Sequence, residues 1–143
     1  MHSVSREDHK EVPSNVARFE RLMYLSLGIG LIEALLTWNR NVALARAMGG
    51  AYFVLFGQIF VLAFFVLFIW LVARRRKNWA RWLLLILQIL GLPGYVRALS
   101  RMLPSEPLAG ALSLAQFLVI AMALVLVFTG NARDWFRIIP AAV

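Results

Sequence analysis

Long apolar runs alternate with short polar ones along this chain. Residues 22–38 carry a single charge, Glu33, and residues 50–73 carry none. Residues 82–96 are apolar apart from Gln88 and a GLPG motif at 91–94, and residues 108–130 are again uncharged. A helix rises about 1.5 Å per residue, so a bilayer crossing needs roughly 17–25 mostly apolar residues. The second and fourth runs meet that length directly. The first and third meet it once extended through Phe19 and Trp79. The pattern predicts an all-α integral membrane four-helix bundle over 18–130, with spans at about 19–38, 50–73, 79–99 and 108–130. Residues 1–17 mix both charges with Pro13 and predict a flexible tail. In 131–143, Asn131 as a helix cap, followed by Trp135 and Phe136, predicts a short interfacial segment.

Composition supports the membrane reading. Of 143 residues, 62% are hydrophobic and 15% charged, against about half and a quarter in soluble domains. The net charge of +8 would otherwise suggest nucleic acid, but five of fifteen basic residues sit in RRRKNWAR at 74–81, between two spans. Eleven basic residues fall on the side holding both termini and this loop, and four on the other. Positive charge is retained inside, which predicts cytoplasmic termini and no nucleic-acid partner. Arg74, Arg75, Arg76 and Lys77 would meet anionic lipid, at about 1 kcal/mol per basic residue. An Ala45-Arg46-Ala47 pattern resembles a signal cleavage site. Trp38, Asn39 and Arg40 before it, and Glu33 within the apolar run, favour a retained helix instead. Of the two connections on the far side, 39–49 suits a turn of interfacial helix, and PSEP at 104–107 a rigid polar turn.

Each span carries one conspicuous polar side chain: Glu33, Gln58, Gln88 and Gln116. The glutamines lie roughly 12–14 Å from the nearest end of their spans, and Glu33 roughly 7–8 Å. Ser26, Gly30 and Ala34 recur every four residues and form a small-residue face suited to close helix packing, with Glu33 at its edge. The glutamines read as interhelical hydrogen-bonding groups. An ionisable group at membrane depth needs a partner or a function. For Glu33 the expected partner is Arg97, brought inward by a bend at GLPG; proton or cation coupling is the alternative.

Several chemistries are excluded. The chain has no cysteine, no histidine or aspartate in any span, and only Lys10 and Lys77 as lysines. Ser26 and Ser113 have no base at their depth, and no phosphate or dinucleotide fingerprint is present. The expectation is a protein without cofactor or metal that is not an enzyme. Its role would be that of a scaffold, an accessory subunit or a homo-oligomer, in a larger membrane complex or alone. The alternative is a small proton-coupled transporter or channel using Glu33.

KNWARW at 77–82 and FTGNARDWFR at 128–137 resemble small bacterial four-helix inner-membrane proteins that pair an R-x-N-W-A-R turn with a W-F-R ending. The resemblance covers roughly the second half of the chain and implies a multi-pass protein of the bacterial inner membrane, with no activity to carry over. YLSLGIGLIEALL at 24–36 is similar in outline to the first helix of small multidrug resistance transporters, which also carry a membrane glutamate there.

Overall fold

The computed structural model describes residues 12–130 together with Ala132 and Phe136. These form five α-helices and no strand among the described residues: α1 (Ser14–Leu36), α2 (Trp38–Leu44), α3 (Ala51–Ala73), α4 (Asn78–Ser105) and α5 (Pro107–Phe128). A 3₁₀ turn, Arg46–Met48, lies between α2 and α3. The four long helices form a ring. α1 packs most extensively on α5, α5 on α4, and α3 closes the ring more loosely against α1 and α4. Three of them, α3, α4 and α5, are long and apolar enough to cross a membrane. The first span reaches that standard only if α1 and α2 are taken together across a 69° bend.

The core stripe of each helix explains the ring. Along α1, Val16, Phe19, Met23, Ser26, Gly30, Glu33 and Thr37 follow one another at alternating steps of three and four, which keeps them on one face of a 3.6-residue helix. Val16, Phe19, Met23 and Ser26 are buried. Along α5, Ala109, Ser113, Gln116, Ile120, Ala123 and Val127 follow the same rhythm. The two stripes meet antiparallel. Asn15 Nδ2 donates to the Thr129 carbonyl at 3.0 Å at one end, and Gly30 lies against Gln116 further along.

The packed core occupies one end of the bundle. Phe19, Met23, Ile69, Val72, Ala80, Leu84, Ala123, Leu124 and Val127 form a single buried cluster there. This is also the basic end. Arg74 pairs with Glu20 at 3.2 Å, the Arg75 guanidinium lies 4.7 Å from the Trp70 ring centre, and Arg81 lies over Phe128 and Phe136. Ala132 is buried beside Val16 and Ala73. The surface around the core is apolar along most of the bundle. On α3, Phe56 and Phe60 are 67% and 70% exposed, a surface suited to hydrocarbon rather than water.

At both ends the chain departs from several expectations. α1 starts at Ser14, so residues 14–17 are helix and not tail. The first connection is more ordered than a single turn. Thr37 ends α1 by donating its hydroxyl to the Glu33 carbonyl at 2.9 Å, and Asn41 Nδ2 donates to Thr37 Oγ1 at 3.1 Å. After α2, Gly49 and Gly50 adopt φ of 106° and 58° to turn the chain into α3, a backbone region open to glycine at little cost. The third span does not end near 99. α4 continues as one helix through Pro93 to Ser105, because each proline removes only one backbone donor, a loss that membrane helices tolerate. PSEP is therefore not a four-residue turn. Pro104 and Ser105 finish α4, and Pro107 opens α5 at a position where its missing N–H costs nothing. Glu106 alone links the two helices. Gly110 makes so tight a return possible: a Cβ there would stand 3.2 Å from Leu103 Cα. The expected tail over 1–11 and the interfacial segment over 131–143, apart from Ala132 and Phe136, lie outside the described residues.

Candidate functional site

The polar residues of three helices converge in the half of the bundle away from the basic end. A cavity of about 260 Å³ is lined by Glu33 of α1, by Gln88, Gly91, Leu92 and Tyr95 of α4, and by Ser113, Gln116, Phe117 and Ile120 of α5. Helix geometry accounts for each contribution. Gln88, Gly91, Leu92 and Tyr95 are spaced i, i+3, i+4 and i+7, one face of α4. Ser113, Gln116, Phe117 and Ile120 repeat that spacing on α5. Glu33 belongs to the core stripe of α1 itself, three residues beyond Gly30, and not to the edge of a small-residue face.

The Glu33 carboxylate faces Ser113 across the cavity and feels the charge of Arg40 on α2. Arg40 is itself held: its Nη1 lies 2.8 Å from Glu106 Oε1, tying α2 to the α4–α5 junction. One wall is aromatic, with Tyr95 and Phe117 stacked at 4.7 Å between ring centres and 12° between planes. The Tyr95 hydroxyl is buried near Ser113, without a well-formed hydrogen bond to any described residue. None of the Gln58, Gln88 or Gln116 amides makes a hydrogen bond to another described residue either. An amide held away from water without a partner costs roughly 2–7 kcal/mol relative to one that is solvated. The three glutamines are only partly buried and line cavities, where water or a polar ligand can supply the missing partners.

A smaller cavity of about 70 Å³ adjoins the first. Its lining includes Ser26, Gly30, Gln58 and Phe65. Gln116 and Ile120 line both cavities. The four polar residues singled out in the sequence thus divide between two neighbouring spaces, with Gln116 shared. Glu33 and Gln88 line the larger one, while Gln58 lines the smaller and also borders an open cleft of about 320 Å³ between α2 and α3.

Arg97 joins neither, and the expected Glu33–Arg97 pair is absent. The ion pairs among the described residues are Arg40–Glu106 and Arg74–Glu20. The cause is helical phase. Arg97 follows Gln88 by nine residues, which turns it about 180° around α4. It also follows the cavity-facing Tyr95 by two, and it is exposed. A helix that stays continuous through GLPG cannot swing it inward. The cation near Glu33 is Arg40, which the 69° bend after Thr37 carries back toward the bundle. A sequence signal for Tyr95 and Ser113 existed, seven residues after Gln88 and three before Gln116. Arg40 had none, because its position depends on the bend.

Ser26 is buried and donates to the Met23 carbonyl at 2.7 Å. With Gly30 it packs on α5 of the same chain, so that face is occupied within the protomer. Ala34 is half-buried. Arg74, Arg75 and Lys77 are exposed at the turn between α3 and α4, and Arg76 is partly buried. No group of three or more histidine, aspartate or glutamate side chains comes together to hold a metal among the described residues. No known protein family, characterised protein or solved structure matches the chain.

Proposed function

We propose that this is a four-span membrane protein, its basic end cytoplasmic, that binds a small positively charged or proton-carrying solute in the Glu33 cavity, as a small transporter or channel does. The observation that carries the reading is the convergence of Glu33, Gln88, Tyr95, Ser113 and Gln116 from three helices on one space, with the amides unpaired. A carboxylate and several hydrogen-bonding groups beside a stacked aromatic pair suit a small organic cation, through charge, hydrogen bonds and ring-face attraction together. The eleven-to-four distribution of basic residues supports the orientation. A scaffold or accessory subunit would draw on small size, unpaired amides and the face of Ser26, Gly30 and Ala34 for association, and most of that face packs on α5. Bacterial inner membrane is the location that accords with the charge asymmetry and the motif resemblance.

The test uses liposomes that carry the purified protein and a trapped pH dye, with a pH gradient imposed in the presence of ammonium, methylammonium or tetraethylammonium. The wild type should dissipate the gradient faster than protein-free liposomes with at least one of these cations. Glu33→Gln should abolish the difference. Gly91→Phe should do the same by filling the cavity, because a Cβ at Gly91 meets open space. Gly94→Phe, equally unobstructed but outside the lining, should behave as wild type. Unchanged flux in Glu33→Gln would overturn the reading.

A further inference from the structure

The smaller cavity has a chemistry of its own. At about 70 Å³ it has room for about two waters at roughly 30 Å³ each. A buried water persists where it finds two to four polar partners, whereas an apolar void stays dry. The partners are present. Gln58 and Gln116 line the space, their amides making no hydrogen bond to another described residue, and Ser26, having donated its proton to Met23, retains lone pairs to accept. Each amide brings two N–H donors and a carbonyl acceptor, so between them they match what two waters need.

Position adds direction. Gln116 and Ile120 form the wall shared with the Glu33 cavity. The Gln116 amide end lies against the Gly30 backbone, where only the missing side chain leaves it space. Toward the basic end the same stripes turn apolar, with Phe19, Met23, Ile69, Val72 and Val127 fully buried and in contact. The side chains of that layer are apolar and closely packed, an environment that disfavours water.

We infer that the smaller cavity is an internal water site, and that with the Glu33 cavity it makes an aqueous half-channel. This half-channel enters from the α2 end, passes Gln116, reaches Gln58 and Ser26, and stops at the apolar layer. Glu33 therefore exchanges protons or cations with the medium on the α2 side and not with the medium at the basic end. The inference stands apart from the identity of any transported solute. Failure of the gradient experiment would leave it intact, and dry behaviour at Ser26 would overturn it even if flux were observed.

The chain has no cysteine, so single cysteines report without background. Ser26→Cys, which is near-isosteric, and Gln58→Cys probe the proposed water site. Met23→Cys and Val72→Cys probe the apolar layer. Silver ion is small and reacts with thiolate, which a thiol in contact with water populates as a minor form and a thiol in apolar surroundings hardly at all. Protein in oriented membranes is treated with silver ion from one side, denatured, and labelled with a fluorescent maleimide. Ser26→Cys and Gln58→Cys should lose at least tenfold of their labelling when silver is applied from the α2 side, and little when it is applied from the basic side. Met23→Cys and Val72→Cys should keep their labelling in both cases. Gln58 also borders the open cleft between α2 and α3, so Ser26→Cys is the deciding variant. Labelling of Ser26→Cys as well retained as that of Met23→Cys would overturn the water site. Equal protection from both sides would overturn the half-channel.

Discussion

The two halves of this bundle are built from the same four helices and hold together differently. In the basic half, the stripes present Phe19, Met23, Ile69, Val72, Leu84, Leu124 and Val127, and the helices close on a dry core. In the other half, the same stripes present Ser26, Gly30, Glu33, Gln58, Gln88, Tyr95, Ser113 and Gln116, and the helices leave partly open cavities between them. Lipid surrounds both halves on the reading proposed here, so apolar side chains gain little by leaving the hydrocarbon. Association must come from close packing and from polar contacts. Close packing supplies it at the basic end. At the other end the polar groups are left partly unpaired, an arrangement that gives up stability and suits binding.

The strongest way to break this comparison is truncation on the two sides. Phe19→Ala should lower unfolding stability in detergent by about 3–5 kcal/mol, the usual cost of a large buried side chain. Gln58→Leu and Gln116→Leu should change it little, or raise it, because each removes an amide that has no protein partner. Equal losses on both sides would mean that the two halves do not differ as described.

A second contrast uses the glycines. Gly110→Leu forces a side chain against the Leu103 backbone, where a Cβ already stands at 3.2 Å, and should cost about 1–3 kcal/mol as overpacking does. Gly91→Leu extends into open cavity and should be neutral or stabilising, since glycine is disfavoured in a helix by about 0.8–1.0 kcal/mol relative to alanine. Thermal unfolding of the pair checks both. A destabilised Gly91→Leu would show that the cavity is not free to be filled.

Gly30→Ala falls between these. Its Cβ would meet Gln116 Nε2 at 2.5 Å, but that atom is the end of a flexible side chain and moves. A loss smaller than that of Gly110→Leu is expected. Gly28→Ala meets nothing and should gain roughly 0.5–1 kcal/mol from reduced backbone freedom in the unfolded chain. If both alanine variants shift the melting temperature alike, Gln116 does not lie against α1.

The smallest effects belong to the ion pairs that close the two ends. Arg40–Glu106 is about one-third exposed on each side chain, and Arg74–Glu20 is more exposed at its arginine. Each should contribute about 0–1 kcal/mol in a double-mutant cycle. Arg40 sharpens the comparison in another way. Arg40→Gln should alter gradient dissipation while leaving stability almost unchanged, because its charge reaches Glu33. The matching Arg74→Gln should alter neither.

The sequence by itself determined the membrane-suited helices, because an uncharged run of 23 residues such as α3 satisfies its backbone only as a helix in hydrocarbon. It also marked Glu33, Gln58, Gln88 and Gln116, since one polar group within a long apolar run stands out without any structure. It carried the stripes as well: steps of three and four from Val16 to Thr37 and from Ala109 to Val127 can be read directly. What only the tertiary structure decided was which polar groups share a space. Helical phase turned Arg97 away from Glu33, and could have been computed from the sequence. The 69° bend that brings Arg40 toward Glu33 and the division of the glutamines between two cavities could not. Both depend on how far apart four helices settle, and that distance is set by side chains meeting across the bundle, Gly30 against Gln116 and Gly110 against Leu103. Periodicity along one helix carries no information about the gap between two.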